Sequence, residues 1–255
     1  MKTARIYKIL TVGIFSVLMG ASSLPVYAAT ETPEAVITNP SLGASQGILA
    51  KETATSIAVN GLNEDSTVSV QADDSRVSAS VEDNQLKIYP KKMGTTNIKV
   101  TMDGKTFNYK AVITSKQAIS AIKAAQKAKG CKYSQPKRMR NGYYDCSSLI
   151  WRTYKPTGIY FGNRRTAPVA ATEAKYLKRN KKVISYSRVK TSKLLPGDII
   201  FYSYHRNGRY RNISHVALYI GDGRVIHAKG RRYGVVESDY VYSKSIKMIA
   251  RPVKS

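Results

Sequence analysis

The run YYDCSSLIW at residues 143–151 carries the strongest chemical signal in the chain. It sets Cys146 between an acidic residue and two hydroxyls, at the point where an apolar helical pattern begins. Asp145 is a favourable N-cap residue, so the pattern predicts that Cys146 lies in the first turn of a helix. Unpaired backbone N–H groups and the positive end of the helix dipole favour a thiolate there. The position therefore indicates a nucleophile, because a buried structural cysteine does not need a stabilised thiolate.

A nucleophile of this kind needs a base, and the chain contains three histidines. His215 and His227 are 12 positions apart, on either side of the turn at residues 221–223. Two adjacent antiparallel strands would bring these imidazoles side by side. With Cys146 they supply the groups of a cysteine hydrolase, although a lone histidine on a strand is more often a hydrogen-bonded core residue. His205 has no comparable pattern around it and is expected to be an exposed loop residue.

Helical patterns precede strand-like runs in the second half of the chain. A capping box at residues 114–117 opens an alanine-rich amphipathic helix that Gly130 stops. Thr166 is expected to cap a further helix through Leu177, with Pro168 in its first turn. The strand-like runs are residues 197–202, 214–220, 224–228, 234–237 and 246–251. Helices followed by an antiparallel sheet predict an α+β domain over residues 115–255.

Short alternating apolar runs occupy residues 48–114, separated by turn signals such as Asp103-Gly104. Strands of this length and spacing predict a small all-β sandwich. The run GTTNIKV at residues 94–100 resembles bacterial immunoglobulin-like repeats found on surface proteins. The stretch carries no cluster of histidines, cysteines or carboxylates arranged for chemistry, so a spacer or weak binding module is expected.

The first 28 residues have the pattern of an export signal. Basic residues precede an apolar run at 9–24, and small residues follow at 26–28. The run is short for a membrane anchor, which needs about 20 apolar residues. Residues 29–47, rich in Thr, Pro, Ser and Ala, are expected to form a linker. The pattern predicts a secreted protein, extracellular or associated with the cell wall.

Two cysteines are too few for a disulfide framework. A single bridge between Cys131 and Cys146 would leave the helix-start position of Cys146 unexplained. Cys146 is therefore predicted to be free and reactive, and Cys131 to be a small packing residue, with a redox role toward Cys146 as the alternative.

The net charge of +26 is unevenly distributed. Residues 31–115 contain 8 Lys and Arg against 10 Asp and Glu, a balance of −2. Residues 116–255 contain 31 against 6, a balance of +25. A positive field of this size attracts polyanions. For a secreted protein, anionic wall polymers or lipid head groups are more plausible partners than nucleic acid. A merely soluble cationic surface is the competing interpretation.

Four motifs in order give the second half of the chain a family resemblance. They are DCS at 145–147, LPGDIIF at 195–201, SHVALYIG at 214–221 and VIHA at 225–228, and Arg165-Thr166 ahead of the third helix also fits. From about residue 115 onward the chain resembles the NlpC-type cell-wall cysteine peptidases (the NlpC and p-sixty family), which have a compact papain-like fold.

The resemblance implies roles for individual residues. Cys146 would be the nucleophile, His215 the general base and acid, and His227 the polar residue that orients His215. It places Tyr133, Asp145 and Ser147 close to the bound stem peptide. Two departures concern the rim of the cleft: Ser148 stands where the family usually has glycine, and the charged loop at residues 134–142 replaces a Gly-Gly stretch.

The resulting hypothesis is a secreted peptidoglycan hydrolase without cofactor or metal, since too few His and Cys remain for a zinc site. The resemblance implies cleavage between D-glutamate and the diamino acid of the stem peptide, with amidase or acyl-transfer chemistry as alternatives within the fold. A non-catalytic wall-binding protein or adhesin is the alternative from another class. It is disfavoured because a degenerate copy would be expected to lose Cys146, His215 or His227.

Overall fold

The computed structural model describes residues 39–253. The predicted signal peptide, residues 1–28, and residues 29–38 of the expected linker lie outside the described residues. The rest of that stretch contributes strands, Ser41–Leu42 (β1) and the start of Gln46–Ala50 (β2). Both pair with strands far along the sequence, and strands this short show no alternation from which to recognise them.

Two four-stranded sheets form the N-terminal part of the described chain. The remaining strands are Thr55–Asn60 (β3), Val68–Ala72 (β4), Val77–Glu82 (β5), Gln85–Pro90 (β6), Gly94–Met102 (β7) and Lys105–Thr114 (β8). The strand orders are β1-β3-β6-β5 and β2-β8-β7-β4, and both sheets contribute to one apolar core. Asp103 and Gly104 both have positive φ in the β7–β8 turn, as a tight hairpin requires. The arrangement agrees with the predicted sandwich, and its immunoglobulin-like kinship stays a prediction.

Three helices pack on a six-stranded antiparallel sheet in the second part of the chain. The helices are Lys116–Lys127 (α1), Cys146–Tyr154 (α2) and Ala170–Arg179 (α3). The strands are Val183–Ser185 (β11), Ile199–Tyr202 (β12), His215–Gly221 (β13), Arg224–Gly230 (β14), Gly234–Asp239 (β15) and Ile246–Ala250 (β16), while Lys132–Tyr133 (β9) and Tyr143–Tyr144 (β10) form a separate parallel pair. The sheet order is β11-β16-β12-β13-β14-β15. This content confirms the α+β prediction.

The starts of two helices differ from those expected. Ser115, and not Thr114, caps α1 by accepting a hydrogen bond from the backbone N–H of Ala118. Thr114 ends β8, and its buried hydroxyl donates to the carbonyl of Pro196 at 2.7 Å, which joins the sandwich to the second domain.

The expected start of α3 at Thr166 was wrong. The helix begins at Ala170, because a proline disfavours helical backbone in the residue before it and Pro168 follows directly in this turn. The side chain of Asn163 organises the turn instead, accepting from the N–H groups of Arg165 and Thr166.

The helices and the sheet meet in one large core that positions the start of α2. Trp151, 2% exposed, anchors the middle of α2 by donating its indole N–H to the carbonyls of Tyr160 and Asn163. The Tyr154 hydroxyl donates to the carbonyl of Gly197 just before β12, at 2.6 Å. These contacts tie α2 to the sheet that carries the histidines. Within residues 39–253, no helix is long and apolar enough to cross a membrane.

Candidate active site

Cys146 is the first residue of α2, as the sequence predicts. Asp145 is the N-cap, and its Oδ1 accepts from the backbone N–H of Ser148 at 2.7 Å. The Ser148 hydroxyl in turn accepts from the backbone N–H of Asp145 at 2.9 Å, which completes a reciprocal capping box. Ser148 therefore has a structural reason to replace the glycine usual in the family, since its hydroxyl fixes the turn that carries the cysteine.

Arg138 links the charged loop at residues 134–142 to the start of α2. Its guanidinium donates to Asp145 Oδ2 at 2.7 Å, to Ser147 Oγ at 3.4 Å and to the carbonyl of Ala167. Asp145 and Ser147, expected near the substrate, are buried, and their side chains engage these internal contacts. The loop thus brings a partly buried cation against the N-cap carboxylate. No pattern in the sequence indicated the contact between Arg138 and Asp145.

His215 on β13 and His227 on β14 are hydrogen-bonded to each other, which confirms the predicted pairing. His215 Nε2 lies 2.8 Å from His227 Nδ1, and the ring centroids are 5.0 Å apart. The chain of polar contacts continues to β15, where Ser238 Oγ lies 3.1 Å from His227 Nε2. Ser238 was not among the predicted site residues, because only strand pairing brings it next to His227.

Cys146 lies against the strand that carries His215. Its sulfur hydrogen-bonds to the backbone of Val216, the residue after His215. Two tyrosines interact electrostatically with the cysteine: the predicted Tyr133, which is half-buried, and Tyr204, which is 63% exposed. The Tyr204 ring is 6.0 Å from the His215 ring. Tyr204 lies on the loop between the motifs at residues 195–201 and 214–221. That position is a signal from which a residue of the cleft could have been predicted. His205 is exposed, as expected.

Residues 128–251 match the family model described as the NlpC/P60 family. This part of the chain is an NlpC/P60 domain. The match leaves residues 39–127 outside, including the sandwich and all of α1. It confirms the family resemblance of the second half of the chain.

Several solved structures are similar to the chain. NlpC1 from Trichomonas vaginalis is 20% identical with a TM-score of 0.40, over 64% of this chain and 60% of that one. An NlpC/P60 family protein from Bacillus cereus is 18% identical with a TM-score of 0.39, over 72% and 53%. The peptidoglycan hydrolase RipB from Mycobacterium tuberculosis is 19% identical with a TM-score of 0.39, over 55% and 66%. The chain thus spans less than two thirds of the length of each. No curated protein sequence matches it.

The three central groups of the NlpC/P60 domain are neutral at rest. Burial raises the pKa of the Cys146 thiol to about 12, and the nearby Asp145 and Glu173 carboxyls add to this rise. Hydrogen bonds from the backbone of Val216 and Ser147 oppose it without prevailing. Burial lowers the pKa of His215 to about 3 and that of His227 to about 4, with smaller contributions from His227 and Lys229 respectively. Burial therefore opposes the thiolate that the sequence analysis expects at the helix start, because desolvation disfavours the charged form.

Glu173 on α3 is an unexpected buried carboxyl near the site. It is 0% exposed, and neither of its oxygens has a hydrogen-bond partner among the residues that the structure describes. Burial and the neighbouring Asp145 raise its pKa well above 4.5, and Arg138 counteracts them only in part. A protonated Glu173 follows, because an unpaired buried carboxylate is costly. The sequence analysis assigned no function to Glu173, because the amphipathic pattern of α3 does not distinguish it from other helix residues.

The described part of the chain contains no group of three or more His, Cys, Asp or Glu arranged to hold a metal ion. Cys131 and Cys146 are both free thiols. Independence from metal and cofactors stays a prediction, as does the role of Cys131.

Proposed function

We propose that the protein is a secreted peptidoglycan hydrolase that cleaves amide bonds of stem peptides with Cys146, His215 and His227. The observation that carries the proposal is the hydrogen-bonded histidine pair beside the cysteine at the start of α2. Membership of residues 128–251 in the NlpC/P60 family, whose members are cysteine peptidases and peptidoglycan hydrolases, supports the reaction class. Secretion rests on the signal-like pattern of residues 1–28.

The neutral resting site makes proton transfer part of the attack. His215 uses Nε2 for its bond to His227, which leaves Nδ1 to take the Cys146 proton. The sulfur attacks the carbonyl carbon of the scissile amide, and N–H groups at the start of α2 stabilise the oxyanion. His215 then gives the proton to the leaving amine as the C–N bond breaks. Water, deprotonated by the same imidazole, releases the acyl group and restores the thiol.

The proposed bond is the one between D-glutamate and the diamino acid of the stem peptide. Amidase and acyl-transfer activities use the same attack on a carbonyl and are the alternatives within the fold. The peptide-binding roles of Tyr133, Asp145 and Ser147 remain part of this proposal. Tyr133 is the one of the three with a half-exposed side chain, so we expect the most direct contact from it.

Digestion of purified peptidoglycan tests the function. The full mature chain and its Cys146→Ala variant are incubated with the polymer, and the released fragments are identified by mass spectrometry. We expect new D-glutamyl termini from the wild type alone. Cleavage by both proteins would contradict the nucleophile, and release of intact stem peptides would indicate an amidase.

A basic surface along one edge of the six-stranded sheet is the proposed attachment site for anionic wall polymers. Residues 178–193 contain 7 Lys and Arg and no Asp or Glu. Arg211 joins this stretch to β16, donating to the carbonyls of Lys247 and Tyr186 while stacking on the Tyr186 ring. We call this the basic edge, and its members are Lys178, Arg179, Tyr186, Arg188, Arg211, Tyr242 and Lys247.

Exposed tyrosines alternate with the cations on the basic edge. Tyr186 is 45% and Tyr242 55% exposed, and Arg188 lies 4.6 Å from the Tyr242 ring centroid. Guanidinium groups match phosphodiester geometry, and exposed aromatic rings provide flat contacts for sugars between phosphates. The basic edge thus suits a sugar-phosphate polymer, and we propose a spacer role for the neutral sandwich.

A further inference from the structure

Ser238 stands at the far end of the polar chain that begins at His215. It lies on β15, the edge strand of the sheet, and its hydroxyl is half-buried. In the β14–β15 register Val225 faces Ser238 and Val236 faces His227. His227 and Ser238 are therefore diagonal neighbours, and their side chains meet at 3.1 Å. No motif of the family resemblance includes this residue.

The direction of each hydrogen bond in this chain follows from the proposed chemistry. To accept the Cys146 proton at Nδ1, neutral His215 must carry its own proton on Nε2. That N–H must then donate to His227 Nδ1, 2.8 Å away, so His227 must hold its proton on Nε2. The only direction left for the last contact is from His227 Nε2–H to the Ser238 oxygen. The half-exposed serine can donate its own proton to solvent.

The opposite tautomer of His227 would block the reaction. With its proton on Nδ1, His227 would donate to His215 Nε2 and force the His215 proton onto Nδ1. That nitrogen could no longer accept a proton from Cys146. A serine hydroxyl can accept from or donate to a ring nitrogen, so the Ser238 contact is compatible with either tautomer. What the contact fixes is the orientation of the His227 ring in which Nδ1 faces His215 Nε2.

We propose that Ser238 is a positioning residue that holds the His227 ring in the orientation in which its Nδ1 meets His215 Nε2. The inference rests on the proposed function, since it assumes that His215 takes the proton of Cys146. Ser238 acts behind His227 and does not touch the substrate. Its loss should therefore lower kcat and leave KM unchanged.

Kinetics of matched variants test the proposal. Ser238→Ala should lower kcat roughly fivefold, the worth of about one neutral hydrogen bond, and Ser238→Thr, which keeps a hydroxyl, should restore it to within twofold. Ser185→Ala is the control, because Ser185 lies on the opposite edge strand and is half-buried, as Ser238 is. Unchanged kcat in Ser238→Ala, or an equal loss in Ser185→Ala, would overturn the role.

A second test separates positioning through His227 from any other effect. In a His227→Ala background, Ser238→Ala should cost no further activity, whereas a fivefold loss there would place its effect elsewhere. Nitrogen-15 spectra of histidine side chains provide a readout that needs no variant. We expect the His227 Nε2 signal of the wild type to show the shift of a hydrogen-bonded nitrogen, and a signal without that shift would overturn the inference even if Ser238→Ala fails to fold. Failure of the proposed function itself would show differently, as cleavage that survives Cys146→Ala.

Discussion

His215 Nε2 and His227 Nδ1 lie 2.8 Å apart on neighbouring strands, although the residues are separated by 12 positions. The short turn at residues 221–223 returns the chain so that β14 pairs directly with β13. Because β13 and β14 are inner strands of the six-stranded sheet, strand pairing fixes the positions of both histidines. This arrangement is the one that the proposed orienting role of His227 requires.

Replacement of His227 by Gln should be milder than replacement of His215 by Ala. A glutamine carbonyl can still accept the His215 Nε2–H and hold the ring, whereas His215→Ala removes the base itself. We expect a roughly 10–100-fold loss of kcat for His227→Gln, the range typical of an orienting partner, and no detectable activity for His215→Ala. Turbidity clearing of cell walls measures both, with circular dichroism to verify folding. Equal inactivity of the two variants would contradict the orienting role.

The acid limb of the activity profile should lie well below pH 6.5. Burial lowers the pKa of His215 to about 3 and that of His227 to about 4, so both rings stay neutral in mildly acidic solution. The measurement is kcat/KM between pH 3 and 8, in buffers of constant ionic strength. An inflection near 6.5 would indicate a solvated histidine instead.

Folding must be followed in the same pH series. Unfolded histidines take up protons near pH 6.5, whereas the buried pair resists them until about pH 3–4. The unfolded state therefore binds more protons in this window, and the free energy of unfolding falls as the pH falls through it. Circular dichroism at each pH distinguishes loss of structure from titration of the site.

Glu173→Gln should stabilise the protein increasingly as the pH rises above 4.5. The buried carboxyl has a raised pKa, so the folded state keeps a proton that the unfolded state releases, and stability is lost with rising pH. Glutamine is uncharged and of similar size. Thermal unfolding should give equal melting temperatures near pH 4 and a higher one for the variant at pH 7. Equal melting temperatures of variant and wild type at pH 7 would contradict a raised pKa for this carboxyl.

Arg251→Met should destabilise the second domain strongly. Arg251 makes two hydrogen bonds of 2.7 and 2.8 Å to Asp198, whose side chain is fully buried. Removal of one partner leaves a buried charge unpaired, at a cost of about 3–5 kcal/mol. Arg224→Met breaks an exposed pair with Asp239 and should cost less than about 1 kcal/mol. Denaturant titrations compare the two, and similar losses would contradict a special role for the buried pair.

The basic edge should bind cell walls in a salt-dependent manner that follows their anionic polymer. The test uses the Cys146→Ala protein, so that binding is not complicated by cleavage. Replacement of Lys178, Arg188 and Lys247 by Gln should weaken pull-down on intact walls several-fold, and high salt should do the same. Arg138 is excluded from this set because its charge pairs with Asp145 inside the protein.

The cell-wall binding experiment has two controls. Gln substitutions at Lys91, Lys92 and Lys99 remove three charges from the sandwich and should leave binding unchanged. Walls stripped of anionic polymer should bind wild type and variant equally weakly. Equal wild-type binding to intact and stripped walls would mean that the basic edge serves another partner, and preferential capture of nucleic acid over wall polymer would identify one.

The local sequence was enough to place the proposed nucleophile at a helix start and the two histidines side by side. Asp145 and an apolar run fix the start of α2 at Cys146, and a short turn between alternating strands pairs His215 with His227. Capping and strand alternation depend on neighbours within a few residues, and for that reason a single sequence reveals them. The same reasoning failed at Thr166, where Pro168 excluded the helical backbone that the cap pattern had suggested.

Tertiary structure alone decided the electrostatics of the site. Burial raises the pKa of the Cys146 thiol and that of the Glu173 carboxyl, which favours the neutral form of both groups. Ser238 and Arg138 reach the site through strand pairing and loop packing that no local pattern encodes. Desolvation depends on what covers a group from every direction, so the sequence could name the proposed reacting groups while only the folded chain set their pKa values.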